Sequence, residues 1–128
     1  DNVPFQSSGI VVPRSLIKTN PQLVENVARA TVEGVAFIHK PANKEIVVKS
    51  LAANLRLSGA ERLENAYQQL VAALPKRPCP SMEGMASMLK LMAQHGLNPK
   101  AAQVKPEDLA DLSYCKRFED SGFFARLY

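Results

Sequence analysis

The sequence predicts a mainly α-helical chain with one short β-strand. Apolar residues recur at spacings of three and four between positions 21 and 74, which is the period of amphipathic helices. A helix-start signal precedes the first of these runs at Asn20-Pro21, where Asn caps a helix and Pro suits its first position. Residues 9–12, GIVV, are typical of a strand because they are short and mostly β-branched, and Pro13 closes the run.

The composition is that of a globular domain. Of 128 residues, 46% are hydrophobic and 22% are charged, which excludes a disordered chain that lacks apolar residues to bury. Six glycines exclude a collagen-like chain. The longest apolar run, residues 27–38, is interrupted by Arg29 and Glu33, so we expect no membrane-spanning helix.

The charge is modestly basic and evenly spread. Sixteen basic and twelve acidic residues give a net charge of +4. Of the two adjacent basic pairs, Lys76-Arg77 and Lys116-Arg117, the second is followed by Glu119 and Asp120. A nucleic-acid-binding protein concentrates its basic residues on one face, so we expect no nucleic-acid partner.

Five or six helices are predicted along the chain. Asn20-Pro21 begins a helix over 21–39, and a capping box at Ser58 and Glu61 begins one that ends at residue 74. The remaining predicted elements are a turn at 14–19, a helix over 42–55, a helix capped by Ser81 and closed by Gly96, a turn from Pro106, and a helix from Asp111 to about 120, broken by Ser121-Gly122.

The four methionines fall within one eleven-residue span of the helix after Ser81. Met82, Met85 and Met92 share a stripe with Leu89. We predict that this stripe is core, packed against the helix over 61–74. The alternative is an exposed methionine-rich groove for a partner helix.

The residues that could carry chemistry favour a protein that is not an enzyme. His39 and His95 stand at predicted helix ends, where they interact favourably with backbone carbonyls. The acidic residues Glu107, Asp108 and Asp111 fit helix starts without a metal. No nucleotide-binding glycine pattern, nucleophile elbow or zinc-ligand spacing occurs, so we predict no catalytic residues, no metal site and no cofactor.

Cys79 and Cys115 are the two cysteines, and they are 36 positions apart. This pair is compatible with one disulfide in an oxidising compartment. Sequence spacing does not set the geometry that a disulfide needs. The interpretation we favour is two free thiols.

Three polar residues precede the predicted strand, namely Gln6, Ser7 and Ser8. On an extended segment they are able to hydrogen-bond a small polar ligand, and they are equally compatible with a solvated lead-in. The strand itself is isolated, although its backbone groups need a partner. We therefore expect it to pair with another chain or to remain irregular and exposed.

The order of motifs resembles the C-terminal third of the NMT1/THI5-like solute-binding proteins of ABC transporters, which serve nitrate, sulfonate, taurine and pyrimidine-precursor uptake. The resemblance covers nearly the whole chain. Members of this family are much longer chains, and the places of Cys79 and Cys115 more often hold aromatic or apolar residues. The matching motifs are Ile10-Val11-Val12-Pro13-Arg14-Ser15, Asn20-Pro21-Gln22-Leu23-Val24, Lys40-Pro41-Ala42-Asn43-Lys44, the run from Tyr67 to Leu74 with the connector from Pro75 to Gly84, Lys105-Pro106-Glu107-Asp108-Leu109, and Ser121-Gly122-Phe123.

The resemblance implies that residues 1–128 are a single C-terminal segment of a type II periplasmic binding protein with an α/β fold. Its strand at 9–12 would return to the first lobe, and its helices would follow. The parent protein would capture a small solute between two lobes and deliver it to an ABC permease from the periplasm or the cell exterior. Gln6, Ser7 and Ser8, next to the crossover, are the expected ligand-binding residues.

Two other interpretations stay open. One is a free-standing helical interaction domain with the methionine face as its groove, and the other is an enzyme whose site is dispersed along the chain. Because the chain begins at Asp1 without an initiator Met or a signal peptide, we expect it to be a processed or excised piece. Self-association through residues 9–12 is a further expectation.

Overall fold

The chain is helical in the computed structural model, which describes residues 4–6 and 8–128. No strand forms among these residues, so the mainly α class is confirmed. Three 3-10 turns lie at Pro41–Asn43, Pro99–Gln103 and Pro106–Asp108. The α-helices are α1 (Arg14–Thr19), α2 (Pro21–His39), α3 (Lys44–Leu55), α4 (Ala60–Ala73), α5 (Met82–Gln94), α6 (Ser113–Asp120) and α7 (Phe123–Leu127).

Local chemistry at the helix ends explains most boundaries. Helix α2 has the predicted bounds, from the proline that suits a first helical position to the residue before Lys40. The Ser81 hydroxyl caps α5 by accepting a hydrogen bond from the Gly84 amide at 3.0 Å. Gly96 adopts a φ of 64°, which lets the chain reverse after α5.

The predicted capping box before α4 is wrong. The cap residue is Gly59, with a φ of 93°, and no side chain caps the helix. Arg56 also has a positive φ, 53°, where α3 ends. Two left-handed residues within four positions turn the chain sharply, and glycine suits such a conformation because it has no Cβ. The helix therefore begins one residue after Gly59.

The predicted strand at 9–12 is also wrong. Residues 9–12 have no regular structure, and 58% of Ile10 and 92% of Val11 is exposed. No hydrogen bond joins the backbone of this segment to another described residue. A single segment without a neighbouring strand leaves its donors and acceptors to water. The structure matches the alternative expectation, which was an irregular exposed segment.

The chain divides into two compact units. We call them the α5 unit, from residues 1–21 and 79–121, and the α2 unit, from residues 22–78 and 122–128. The α2 unit contains α2, α3, α4 and α7, with α3 packed against α4. Its buried hydrophobic residues are Val24, Val32, Val35, Ala36, Val47, Tyr67, Phe123 and Phe124.

In the α5 unit, helix α5 packs against the 3-10 turns at Pro99–Gln103 and Pro106–Asp108. The methionine stripe is half-buried rather than fully core. Its expected partner, the helix over 61–74, belongs to the α2 unit, and packing of the stripe against that helix stays a prediction. The two turns reach α5 because Gly96 reverses the chain and leads it back along the helix, where Ala101 is buried.

Candidate functional site

The predicted ligand residues lie on an extended lead-in that contacts the start of α5. The Gln6 side chain accepts a hydrogen bond from the Ser81 amide at 2.9 Å and donates one to the Ser8 carbonyl. Ser8 is exposed, and Ser7 lies outside the described residues. The Gln6 amide therefore has partners within the chain. Its role toward a ligand, and that of Ser7 and Ser8, stays a prediction.

A glycine permits this close contact. Gly84 is buried in the first turn of α5, and a Cβ there would lie 2.8 Å from the Gln6 nitrogen and 2.9 Å from the Phe5 carbonyl carbon. Both atoms belong to the backbone, so they do not move aside as a flexible side chain would. The sequence contains no local signal for this approach, because a glycine inside a helix is ordinarily only a weak helix former.

A second contact fixes the chain on the other side of residues 9–12. The Arg14 guanidinium donates a hydrogen bond to the backbone carbonyl of Asp108, 94 positions away. The exposed apolar segment thus lies between two attachments to the α5 unit, one through Gln6 and one through Arg14. Residues 9–12 are presented outward between fixed ends.

Cys79 and Cys115 form a disulfide, so the favoured interpretation of two free thiols was wrong. The Cα atoms are 6.0 Å apart, within the range of about 4.4–6.8 Å that a disulfide needs. The proline-rich connector brings Cys79 beside α6, which carries Cys115. This proximity is tertiary, and for that reason the spacing of 36 residues did not reveal it.

The histidines do not form a catalytic relay with the described residues. The Nε2 atom of His39 lies 2.7 Å from the carbonyl oxygen of Leu74, and its ring meets that of Tyr128 edge-on. The Tyr128 hydroxyl donates to the Lys76 carbonyl at 2.8 Å, and burial raises the pKa of Tyr128. His95 is exposed at the end of α5. The contacts of His39 hold the connector after α4 in place.

Two open depressions lie on the α2 unit, and no sequence pattern predicted either of them. The first contains an ion pair between Lys44 and Glu64 at 2.8 Å, and the hydrogen bond from Lys44 lowers the pKa of Glu64. The second, of about 330 Å³, is lined mainly by apolar side chains of α2, α3 and α4, and two of these, Phe37 and Ile46, are exposed. Both depressions form where residues far apart in the sequence pack together. The spacing of apolar residues along one helix does not predict such packing.

The acidic residues act at helix starts. The Asp111 carboxylate accepts a hydrogen bond from the Ser113 amide at 2.9 Å, at the first residue of α6. Hydrogen bonds from Ser113 lower the pKa of Asp111, although burial acts in the opposite direction. Among the described residues, no three histidine, cysteine or acidic side chains form a group able to hold a metal ion. None of the described helices has the length and apolarity to cross a membrane.

No family model, curated protein or solved structure matches this chain. Its functional interpretation therefore depends on the residues themselves.

Proposed function

We propose that this chain is the C-terminal part of an ABC-transporter solute-binding protein that captures a small solute of the nitrate, sulfonate, taurine or pyrimidine-precursor class. The observation that carries the proposal is the exposed, unpaired apolar segment at residues 9–12. A solute-binding protein of this kind has a strand at this place that returns from the second lobe to the sheet of the first.

The segment has the properties of a strand that lacks its sheet. Its side chains are apolar and β-branched, and 92% of Val11 is exposed. Its backbone groups bond to no other described residue, and such groups pair readily with a sheet edge. The attachments through Gln6 and Arg14 hold both ends, so less conformational entropy would be lost on pairing than for a loose tail.

The motifs of the resemblance also coincide with structural boundaries. Pro21 begins α2, Pro41 begins a 3-10 turn, and Ser81 caps α5. Gly122, with a φ of 66°, separates α6 from α7. The motifs thus stand where a local physical reason requires them, which supports their use as a guide to the family.

The proposed activity needs no covalent chemistry. Polar groups from two lobes would hold the solute, and closure of the cleft would precede transfer to a membrane permease. Gln6, Ser7 and Ser8 would line the cleft next to the crossover. The Cys79–Cys115 disulfide supports a periplasmic or extracellular location, because such bonds persist in oxidising compartments.

The genomic reading frame tests the proposal. We expect a long segment upstream of Asp1 that begins with a signal peptide, and neighbouring genes for a permease and its ATPase. A start codon immediately before Asp1 would overturn it. The longer product, purified and screened by thermal shift against nitrate, taurine, alkanesulfonates and pyrimidine precursors, should gain stability with one of these classes.

A helical interaction domain is the second candidate, and the apolar depression on α2, α3 and α4 favours it. Two of its lining side chains are exposed, Ile46 by 59% and Phe37 by 42%. The methionine stripe proposed for this role is half-buried, so the depression is the better surface. Ile46→Lys should abolish binding of a partner there while leaving solute binding by the longer protein unchanged.

A further inference from the structure

We infer that the Cys79–Cys115 disulfide takes the place of a hydrophobic core in the α5 unit, so that reduction unfolds this unit and releases the lead-in while the α2 unit stays folded. This inference depends on the distribution of buried residues and on the position of the bond. It does not rest on the proposed function.

The two units differ sharply in buried apolar residues. Of the ten buried hydrophobic residues in the described part of the chain, Ala101 and Phe118 lie in the α5 unit and the other eight in the α2 unit. Burial of apolar surface is the main stabilising contribution to folding. Small units with little core commonly depend on disulfides. The α5 unit has such a bond, and the α2 unit has no cysteine.

The bond joins two parts of the α5 unit that lie far apart in the sequence. It connects the proline-rich connector to α6 and closes a loop that contains all of α5. Cys79 stands two residues before Ser81, whose amide binds Gln6 and whose hydroxyl caps α5. Loss of the bond would therefore free the connector, the α5 cap and the lead-in attachment together.

The chemistry is a thiol–disulfide exchange. The Cys79 and Cys115 thiols lose two protons and two electrons as the S–S bond forms, and a disulfide-carrying oxidant takes up both and becomes a dithiol. A phosphine reductant reverses the change: it returns the two electrons to the sulfurs, water supplies the protons and the oxygen, and the phosphine becomes its oxide. The redox state of the surroundings thus determines whether the α5 unit is folded.

Hydrogen exchange measured by mass spectrometry on the 128-residue chain tests this inference. The oxidised protein is compared with the same protein in a phosphine reductant, and alkylation before and after reduction counts the free thiols. On reduction we expect the amides of α5 and α6 to exchange about tenfold faster or more. Those of α2 and α4 should change little, and two alkyl groups should be gained.

The Cys79→Ser, Cys115→Ser double variant is the control. It should exchange like the reduced protein and should not respond to the reductant. Unchanged protection of α5 and α6 after reduction would overturn the inference, and so would equal loss of protection in both units. Two thiols that react with the alkylating agent before reduction, in protein refolded with an oxidant, would also overturn it.

Discussion

Single residues determine how the lead-in contacts the α5 unit, and Gly84 is the clearest case. A Cβ at this position would overlap the backbone of Phe5 and Gln6. We expect Gly84→Ala to destabilise the chain by about 1 kcal/mol, because overpacking costs about 1–3 kcal/mol and the better helix propensity of alanine offsets only about 0.5–1 kcal/mol. Urea unfolding of the wild type and of Gly84→Ala measures this difference in the free energy of unfolding.

Gly34 provides the matched control for this substitution. It lies inside α2 and has nothing within 4 Å of an added Cβ. Gly34→Ala should therefore stabilise the chain by about 0.5–1 kcal/mol. Equal stabilisation by both substitutions would show that the lead-in does not pack on Gly84.

Gln6 supports the structure in the absence of a ligand. Removal of its hydrogen bonds to Ser81 and Ser8 in Gln6→Ala should lower the free energy of unfolding by about 1 kcal/mol. In Gln22→Ala, which removes only a bond to Asn26 on the surface of α2, we expect about 0.5 kcal/mol or less. If the two variants were equally stable, the attachment through Gln6 would contribute nothing.

Asp111 makes the free energy of unfolding depend on pH in the acid range. Its folded-state pKa lies below the ordinary value of 3.8, chiefly because of hydrogen bonds from Ser113. The stabilisation is therefore present above 3.8 and is lost as the pH falls through the lower folded-state value. Urea unfolding at neutral pH and near pH 3 should show a smaller acid loss in Asp111→Asn than in the wild type. Equal losses would contradict this assignment.

At the scale of elements, the sequence predicted the helices that have strong local signals. Helix α2 follows from Asn20-Pro21 and its apolar period, and α5 follows from Ser81 and Gly96. The strand at 9–12 failed because strand formation needs a second segment, which local propensity does not provide. The cap before α4 failed because the left-handed residues Arg56 and Gly59 set the turn.

Substitutions in residues 9–12 should be tolerated in this chain. They should be destabilising in a longer protein in which this segment is a strand of a sheet. We expect Val11→Lys to alter the stability of the 128-residue chain by no more than about 0.5 kcal/mol, because the Val11 side chain is almost wholly exposed. In the proposed longer solute-binding protein the same change should cost about 2 kcal/mol or more, because the valine would then be buried. Denaturant unfolding of both proteins gives the comparison.

Leu97→Lys is the control for Val11→Lys. Leu97 is 74% exposed in the turn after α5, and it is not part of the proposed strand. Its replacement should be tolerated in both proteins. If Val11→Lys were also tolerated in the longer protein, residues 9–12 would not be a strand of its sheet.

At the scale of the whole molecule, the candidate site was the least predictable part. Composition and periodicity predicted a helical chain, but they did not reveal that Cys79 and Cys115 meet or that α2, α3 and α4 enclose an apolar depression. Both features depend on contacts between residues far apart in sequence. The Gln6 side chain bonds to Ser8 and also to Ser81, which is 75 residues away in the sequence.

The disulfide should dominate the stability of the α5 unit. In the chain-entropy account, closure of a loop across a separation of 36 residues contributes about 4 kcal/mol. Denaturant unfolding of the Cys79→Ser, Cys115→Ser variant should show an early transition for this unit and a later one near the wild-type midpoint. A single transition at the wild-type midpoint would contradict this expectation.

Calorimetry of the 128-residue chain and of the proposed longer protein, with nitrate, taurine, alkanesulfonates and pyrimidine precursors, tests the central claim most directly. Three neutral hydrogen bonds from Gln6, Ser7 and Ser8 give at most about 4.5 kcal/mol, or roughly millimolar affinity before ordering costs. We therefore predict no measurable binding by the 128-residue chain and saturable binding of one solute by the longer protein. Micromolar binding of nitrate, taurine, an alkanesulfonate or a pyrimidine precursor by the 128-residue chain would contradict the account, because a complete site would then lie within these residues.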